Sequence, residues 1–362
     1  MSSGLYRAVG LMSGTSMDGI DAALIETDGE AHVRPLGFLS VPYGETTRGR
    51  LRASIERALG KDAPGPDAVI DETAAEITAL HAGAVRALLA DDAAVDVIGF
   101  HGQTVAHRPE RGWTWQIGDG AALAKRLRIT VVADFRAADV AAGGQGAPLL
   151  PVYHRALASG LEGPVAVLNL GGVGNITFLG ADETMIAFDT GPGNALIDDW
   201  VRGTQGIGYD AGGALAASGV VHEEVVARMA DLDWFALPPP KSLDRHAFSL
   251  NDVSGLSAAD GAATLTAFTA ETVRLALPHL PAWPARLLVT GGGRHNPTLM
   301  RMLAERTGIP SDPVETVGWR GDAMEAEGFA YMAVRRLQGL PISFPGTTGV
   351  PSPTVGGVVF RP

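Results

Sequence analysis

The segment Gly10-Leu-Met-Ser-Gly-Thr-Ser-Met-Asp-Gly-Ile-Asp21 joins two apolar stretches through a run of small and polar residues. Residues 6–12 are largely apolar, residues 13–16 are small, and residues 20–25 are largely apolar again. This order predicts a strand, a tight turn and a second strand. A turn built from Ser, Gly and Thr leaves backbone N–H groups uncovered, as a bound phosphate requires. The chain is therefore expected to open with a hairpin whose turn binds phosphate.

The second half of the chain repeats this plan. Residues 165–170 predict a strand, residues 171–174 a glycine-rich turn, residues 176–179 a strand, and a further strand ends at Phe188. A third glycine turn, Thr290-Gly-Gly-Gly293, follows the apolar residues 287–290. Any one such turn is ordinary hairpin chemistry. Together they predict two related lobes that each offer a turn to one nucleotide, with the third turn against its adenosine. The candidate cofactor-binding residues are Ser13, Gly14, Thr15, Ser16, Asp18, Gly19, Asn169, Gly171, Gly172, Gly174, Asn175, Gly291, Gly292 and Gly293.

Length and charge limit the classes of function. A chain of 362 residues exceeds the size at which single hydrophobic cores stop growing, which predicts two lobes. We expect a first lobe of residues 1–130 plus 340–362 with the first phosphate turn. Residues 131–339 should form the second lobe, with the other two turns. The net charge of -12 disfavours a nucleic-acid partner and favours a small molecule.

Composition excludes further classes. The chain has no cysteine, which excludes disulfides, thiolate zinc sites and thiol nucleophiles. No window approaches the ~18 apolar residues of a membrane helix. We therefore expect a cytoplasmic protein with no membrane partner.

Three familiar nucleotide motifs are absent. The single Gly-Lys pair, Gly60-Lys61, lacks the upstream glycine and the following Ser or Thr of a P-loop. Gly172 and Gly174 precede a strand-like sequence rather than the helix that a dinucleotide-binding fold requires. The protein-kinase signatures are also missing. The remaining prediction is a two-lobe α/β fold of the actin/hexokinase-like (ribonuclease H-like) type, with an ATP cleft between the lobes.

Blocks along nearly the whole chain resemble one family. They are residues 10–21, His101-Gly-Gln-Thr104, Gln116-Ile-Gly-Asp119, Val132-Ala-Asp-Phe-Arg136, residues 139–148, Phe188-Asp-Thr-Gly-Pro-Gly-Asn194, Gly291-Gly-Gly293 and Met324-Glu325. In this order they resemble the anhydro-N-acetylmuramic acid kinases. The resemblance implies ATP-dependent opening and 6-phosphorylation of an anhydro amino sugar in cell-wall recycling. It also implies Mg²⁺ with the ATP, and a homodimer.

Two carboxylates are the catalytic candidates. Asp189 follows an apolar stretch and precedes a glycine turn, a position that also suits an Asx turn or a helix N-cap. The resemblance implies that Asp189 is the general base. Glu325 corresponds in the resemblance to a carboxylate near the catalytic centre. The spacing Asp322-x-x-Glu325 equally predicts a capping box at the start of a helix, and both interpretations stay open.

The remaining candidates concern metal and sugar. Asp18 could orient Mg²⁺, since a hard cation is held by one or two carboxylates and phosphate oxygens, although an Asp is also common in turns. Asp21 could equally serve in this role. By resemblance, Arg136 would bind the lactyl carboxylate of the sugar, and a surface ion pair is its alternative. The other substrate-binding candidates are His101, Gln103, Thr104, Gly191 and Asn194. Lys241-Ser242 also resembles a family element, and its role does not follow from the sequence.

Three other functions are compatible with parts of this pattern. One is a kinase of the same fold that acts on a plain sugar or a carboxylate, which product analysis would distinguish. A regulatory ATPase of the same superfamily would carry a peptide-binding extension, which the short segment after Leu337 does not provide. A glycosidase would use two carboxylates without ATP.

Overall fold

The computed structural model describes residues 4–90, 94–243 and 248–362. The chain divides into two compact units, one of residues 1–159 with 323–362 and the other of residues 160–322. The sequence predicts a first lobe of residues 1–130 plus 340–362 and a second lobe of residues 131–339. Residues 131–159 and 323–339 group with the first unit. Among the described residues, no helix has the length and apolarity needed to cross a membrane.

The first unit is built on a mixed sheet of seven strands. The strands are β1 (Tyr6–Ser13), β2 (Gly19–Thr27), β3 (Val33–Pro42), β4 (Val97–Arg108), β5 (Trp113–Ile117), β6 (Thr130–Ala133) and β12 (Val358–Phe360). Their order is β12-β6-β4-β1-β2-β3, and β5 pairs with β4 beside this path. The first three strands form an antiparallel meander, whereas β4 and β6 run parallel to β1.

The helices of the first unit cover this sheet. They are α1 (Glu45–Leu59), α2 (Ala68–Leu89), α3 (Gly120–Leu127), α4 (Ala137–Ala141), α5 (Pro151–Leu157), α12 (Met324–Leu337) and α13 (Pro345–Thr348). Apolar residues at three-and-four spacing in residues 68–89 predict a helix, which α2 confirms. It begins at Ala68 because the Asp67 carboxylate accepts the N–H groups of Val69 and Ile70. Helix α2 packs on β2 and β3, and α12 packs on β1, β2 and β4.

At two points helix α12 approaches the sheet with its backbone. A Cβ atom placed on Gly10 in β1 would overlap the carbonyl oxygen of Ala326, and one on Gly99 in β4 would overlap that of Phe329. Only glycine fits at these two positions, because a side chain there would overlap the backbone of the helix. This approach fixes the distance of α12, which carries Glu325, from β1 and β4.

The second unit repeats the same strand order. Its strands are β7 (Val165–Leu170), β8 (Val173–Leu179), β9 (Met185–Pro192), β10 (Arg286–Thr290) and β11 (Ser311–Pro313). The order β11-β10-β7-β8-β9 again joins an antiparallel meander to two parallel strands. The two sheets thus share one topology, which confirms the predicted two-lobe α/β fold of the actin/hexokinase-like type.

The core of the second unit is organised around one helix. Its helices are α6 (Ala195–Gln205), α7 (Ala214–Ser218), α8 (Glu223–Ala230), α9 (Asp233–Ala236), α10 (Ala258–Ala276) and α11 (Pro297–Thr307). Helix α10 is buried along most of its length and packs against α6, α7, α8, α11 and β9. It forms the support on which β9 and its carboxylate lie.

Three details of the sequence analysis are corrected. The apolar residues 95–100 predict a strand that ends before His101, but His101, Gln103 and Thr104 lie inside β4, because β4 continues and pairs with β5. Asp189 likewise lies within β9. Helix α12 begins at Met324 rather than at Asp322.

Replacing Gly10 by Ala should destabilise the protein by at least about 1–3 kcal/mol, because the added methyl group meets helix backbone that cannot move aside. The same change at Gly83 is the control. Gly83 is exposed within α2, and a Cβ there would meet nothing within 4 Å. Gly83→Ala should therefore stabilise the helix by about 0.5–1 kcal/mol. Chemical denaturation measures both, and equal effects of the two substitutions would contradict this account of the α12 contact.

Candidate functional site

The first glycine turn, between β1 and β2, is held from below by β4. The Ser13 hydroxyl donates to Gln103 Oε1 at 2.5 Å and bonds the Tyr43 hydroxyl at 2.9 Å. The Gln103 Nε2 group donates to the carbonyl oxygen of Gly14 at 3.1 Å. Gln103 is fully buried, and both ends of its amide are used. Its structural role is therefore to fix the turn.

The tip of this turn is open to solvent. Thr15, Ser16 and Asp18 are exposed, and the turn is closed by the N–H of Met17, which donates to the Gly14 carbonyl at 3.1 Å. Among the described residues, no three His, Asp or Glu side chains gather to form a metal site. An exposed carboxylate beside a phosphate-binding turn fits Mg²⁺ that takes most of its ligands from phosphate oxygens and water. Asp18 fits that arrangement.

Arg136 is gripped by two acceptors next to β4. Its Nε donates to His101 Nε2 at 3.1 Å, and its Nη1 donates to the carbonyl oxygen of Gly146 at 2.8 Å. His101 Nδ1 lies 2.8 Å from the Gly102 carbonyl oxygen, which assigns the ring proton to Nδ1 and leaves Nε2 as the acceptor. Burial and the charge of Arg136 hold the pKa of His101 well below its usual range. His101 is therefore a neutral support for the guanidinium.

Glu325 lies partly buried in the first turn of α12 and is electrostatically coupled to Arg136 and Asp21. Burial raises its pKa, Arg136 lowers it, and Asp21 raises it again. Burial also lowers the pKa of Arg136 to about 10, against the opposing effect of Glu325 and Asp139, so Arg136 stays charged at neutral pH.

The capping-box interpretation of Glu325 is wrong. The N-cap of α12 is Ala323, which makes no side-chain cap, and Asp322 instead accepts a bond from Arg294 Nη2 at 2.6 Å. The catalytic role of Glu325 stays a prediction, now without that competing explanation.

Asp139 is a supporting residue that the sequence analysis did not single out. It is buried, with Oδ1 accepting the N–H of Gly146 at 2.6 Å and Oδ2 accepting the hydroxyl of Thr348 at 2.5 Å. The carboxylate thereby holds residues 139–146 in place, including the Gly146 carbonyl that binds Arg136. The only sequence signal is one acidic residue ahead of the glycine-rich residues 143–146, and a stretch of this composition is equally typical of a connection between lobes.

The other two glycine turns meet within the second unit. The N–H of Asn194 donates to the Gly171 carbonyl at 2.7 Å, and its side-chain Nδ2 donates to the Leu170 carbonyl at 2.7 Å. Gly291 has φ +75°, and a Cβ atom there would overlap Asn169 Oδ1. These two turns therefore lie against each other, and Asn194 braces the first of them.

Arg294 is a second support that sequence reasoning missed. Its side chain is almost fully buried, and Nη1 donates to the Gly291 carbonyl at 2.9 Å. Its Nε donates to Glu315 at 3.0 Å. The guanidinium thus connects the third glycine turn to the residues that precede α12.

Asp189 lies on β9 opposite Asn175 of β8. Its N–H donates to the Lys241 carbonyl at 3.0 Å, and its Oδ2 accepts the N–H of Leu243 at 2.7 Å. Burial raises the pKa of Asp189 to about 7, and the bond from Leu243 partly opposes that rise. A carboxyl that titrates near neutral pH is well matched to proton abstraction.

The remaining candidates have local explanations. Gly191 has φ +151°, and a Cβ there would press on Thr272 of α10 at 2.7 Å. The Thr104 hydroxyl accepts a bond from Gln116 Nε2 at 3.2 Å. Asp189, Gly191 and Asn194 belong to the second unit with two of the glycine turns. His101, Gln103, Thr104, Arg136 and Glu325 belong to the first unit with the other turn.

Comparisons with known proteins agree on one family. Residues 6–362 match the family described as anhydro-N-acetylmuramic acid kinase. A protein of that name from Rhizorhabdus wittichii is 66% identical over 98% of this chain and 99% of its own length. One from Zymomonas mobilis is 55% identical over 97% of this chain and 98% of its own. Among solved structures, component A of (R)-2-hydroxyglutaryl-CoA dehydratase from Acidaminococcus fermentans gives a TM-score of 0.46 at 12% identity, covering 92% of this chain and 99% of that one.

Replacing Asp139 by Ala should lower the free energy of unfolding by about 2–4 kcal/mol, because it leaves the Gly146 N–H and the Thr348 hydroxyl buried without an acceptor. The matched control is Asp62→Ala, since Asp62 is 99% exposed and pairs only at the surface with Arg111. That change should cost less than about 1 kcal/mol. Urea denaturation of both variants checks the difference, and equal stabilities would show that Asp139 does not hold this segment.

Proposed function

The chain belongs to the anhydro-N-acetylmuramic acid kinase family, and we propose that it converts 1,6-anhydro-N-acetylmuramic acid and ATP to N-acetylmuramic acid 6-phosphate and ADP in murein recycling. The observation that carries the mechanism is Asp189, a carboxyl with a pKa of about 7 in the same unit as two glycine turns. Such a group can accept a proton from water at neutral pH.

The proposed reaction joins hydrolysis and phosphorylation. A water oxygen forms a bond to C1 of the sugar as the bond from C1 to O6 breaks, and the proton of that water passes to Asp189. The released O6 forms a bond to the γ-phosphorus of ATP, and the bond from that phosphorus to ADP breaks. Phosphoryl transfer needs mainly positioning and neutralisation of charge, which glycine turns with inward N–H groups supply.

The nucleotide would be held by the three glycine turns. Residues 13–19, 171–175 and 291–293 are the segments that we assign to its phosphates and adenosine. Asp18 would hold Mg²⁺ or its waters, and the metal would neutralise charge on the phosphates. Ser13 and Asn194 are occupied by structural bonds that shape the turns, so the backbone N–H groups and the exposed Thr15 and Ser16 are the donors we favour.

The sugar would be recognised by the cluster around Arg136. A charged guanidinium held rigidly by His101 and Gly146 is suited to the lactyl carboxylate of the substrate. Glu325, electrostatically coupled to the same guanidinium, is our second catalytic candidate. Because both ring nitrogens of His101 are engaged, we assign it to orienting Arg136 rather than to the sugar hydroxyls.

Two finer expectations accompany this function. The family resemblance implies a homodimer, and a kinase that consumes ATP is expected in the cytoplasm. A kinase for another sugar, or a regulatory ATPase, is not favoured by the match over residues 6–362.

The proposed function is tested by incubating the purified protein with the anhydro-sugar, ATP and Mg²⁺ and analysing the products by mass spectrometry. We expect a ring-opened sugar phosphate and ADP in equal amounts, and neither product without ATP. Ring opening in the absence of ATP would instead identify a glycosidase. ATP hydrolysis without a phosphorylated sugar would favour a regulatory ATPase.

Replacing Asp189 by Asn should abolish detectable turnover, since an amide cannot take the proton of the attacking water. Binding of ATP, measured by calorimetry, should remain within about twofold of the parent protein. Asp182→Asn is the matched control, because Asp182 is an exposed carboxylate in the connection between β8 and β9. Near-normal turnover by Asp189→Asn would exclude it as the base.

The turnover number should fall as the pH is lowered through about 7. The pKa of Asp189 is raised to about 7, so the ionised base is present above that pH and is progressively protonated below it. Each further unit of acidity should cost about tenfold in rate. Steady-state kinetics from pH 5 to 9 with saturating substrates provide the measurement, and a flat profile down to pH 5 would contradict the assignment.

A further inference from the structure

Lys241 is an unusual residue in this chain. Its 362 residues include only three lysines, Lys61, Lys125 and Lys241. Lys241 follows the stiff segment Pro238-Pro-Pro240 and is partly buried. Basic side chains elsewhere in the chain are mostly Arg, so this position uses the compact ammonium where a planar guanidinium is the common choice.

The ammonium group of Lys241 is held by carbonyl groups and an aromatic face. Its Nζ donates to the carbonyl oxygens of Trp234 at 3.2 Å and Phe235 at 3.0 Å. It also lies 4.5 Å from the centre of the Trp234 ring and 5.8 Å from that of Phe188. A partly desolvated cation–π contact of this kind stabilises the ammonium in its position. The side chain therefore fastens the end of the proline segment back onto α9.

The backbone beside Lys241 forms the immediate surroundings of Asp189. The Lys241 carbonyl accepts the Asp189 N–H at 3.0 Å, and two residues later the Leu243 N–H donates to Asp189 Oδ2 at 2.7 Å. One short segment thus contacts both the backbone and the carboxylate of the proposed base. Phe188, the neighbour of Asp189, contacts the Lys241 ammonium as well.

We propose that Lys241 is a positioning residue for Asp189, acting through the N–H of Leu243, an inference that rests on the proposed role of Asp189 as the base. The ammonium anchors residues 241–243, and the anchored Leu243 N–H orients one carboxylate oxygen and favours its ionised form. The effect travels through the segment rather than through an ion pair, since the ammonium is bonded to the carbonyls of Trp234 and Phe235.

Among the residues that the structure describes, the titratable and charged groups around this assembly include Asp189, His279 and Asp233. Asp189 faces the segment from β9, and Asn175 opposite it on β8 carries no charge. His279 packs edge-on against Phe188 and bonds the same Phe235 carbonyl that Lys241 uses, at 2.9 Å. On α9 itself the exposed Asp233 is the other charged group. A pH profile must therefore be compared between variants rather than interpreted from the parent protein alone.

The hydrogen bond is tested with a pair of variants at one position. Leu243→Pro removes the backbone N–H, whereas Leu243→Ala shortens the side chain and keeps it. Single-turnover rates with enzyme in excess report the chemical step. We expect Leu243→Pro to lose roughly 10- to 100-fold, and Leu243→Ala to lose clearly less than Leu243→Pro because it keeps the N–H. In the pH–rate profile of Leu243→Pro, the midpoint of the acid limb should shift to higher pH by about one unit, because the ionised carboxylate has lost a donor.

Lys241 is tested with Lys241→Met, with Lys125→Met as the control because Lys125 is exposed on α3. Lys241→Met should lower the single-turnover rate and shift the midpoint of the acid limb to higher pH, as Leu243→Pro does. The double variant should be no slower than Leu243→Pro within about twofold, because both changes break one route. Lys241→Gln, which is one atom shorter and keeps an N–H donor without the charge, replaces Lys241→Met if that variant does not fold.

The pKa of Asp189 is also read directly from the carbon chemical shift of its carboxyl by NMR, with Asp189→Asn identifying the signal. A parent-like rate and parent-like Asp189 pKa in the Lys241 variant would overturn the inference, as would multiplicative losses in the double variant. A parent protein that forms no sugar phosphate would overturn the proposed function instead. In that case the NMR comparison still decides whether Lys241 sets the pKa of Asp189.

Discussion

The contact on which the first unit depends is the direct approach of α12 to β1 and β4. Gly10 and Gly99 leave no side chain between helix and sheet, so the backbone of residues 326–330 rests on the strands. The ring of Phe329 then lies 4.6 Å from that of His101 and 6.0 Å below the Arg136 guanidinium. Glu325, one turn earlier, is brought into the electrostatic range of the same Arg136. The cluster of side chains around Arg136 is thus a consequence of two glycines in the sheet.

The two candidate carboxylates differ because their surroundings differ. Asp189 is desolvated on β9 and receives one backbone donor, which leaves its pKa near 7. Glu325 is also desolvated, but a guanidinium opposes the rise in its pKa and a second carboxylate reinforces it. The pKa of each carboxyl is thus raised by burial, but only the pKa of Glu325 is also lowered by a neighbouring guanidinium.

Much of the fold followed from local sequence, whereas the supports of the site did not. Residues 68–89 and 165–170 matched their elements because hydrophobic periodicity and caps are local signals. The continuation of β4 through His101-Gly-Gln-Thr104 does not follow from local sequence, because Gln103 and Thr104 pair with residues of β5 more than ten positions away. The Asp322 carboxylate accepts a hydrogen bond from Arg294, 28 positions away, instead of forming the predicted capping box. Asp139 and Thr348 meet across 209 positions, which no pattern within a window can reveal.

The central claim is that one catalytic event combines water attack at C1 with phosphorylation of O6. The most direct test is the mass of the product formed from the anhydro-sugar and ATP in heavy-oxygen water, measured at early times. The account predicts a sugar phosphate that carries one solvent oxygen at C1 and its phosphoryl group at O6. A phosphorylated sugar with the anhydro ring intact, or a ring-opened sugar without phosphate, would contradict it.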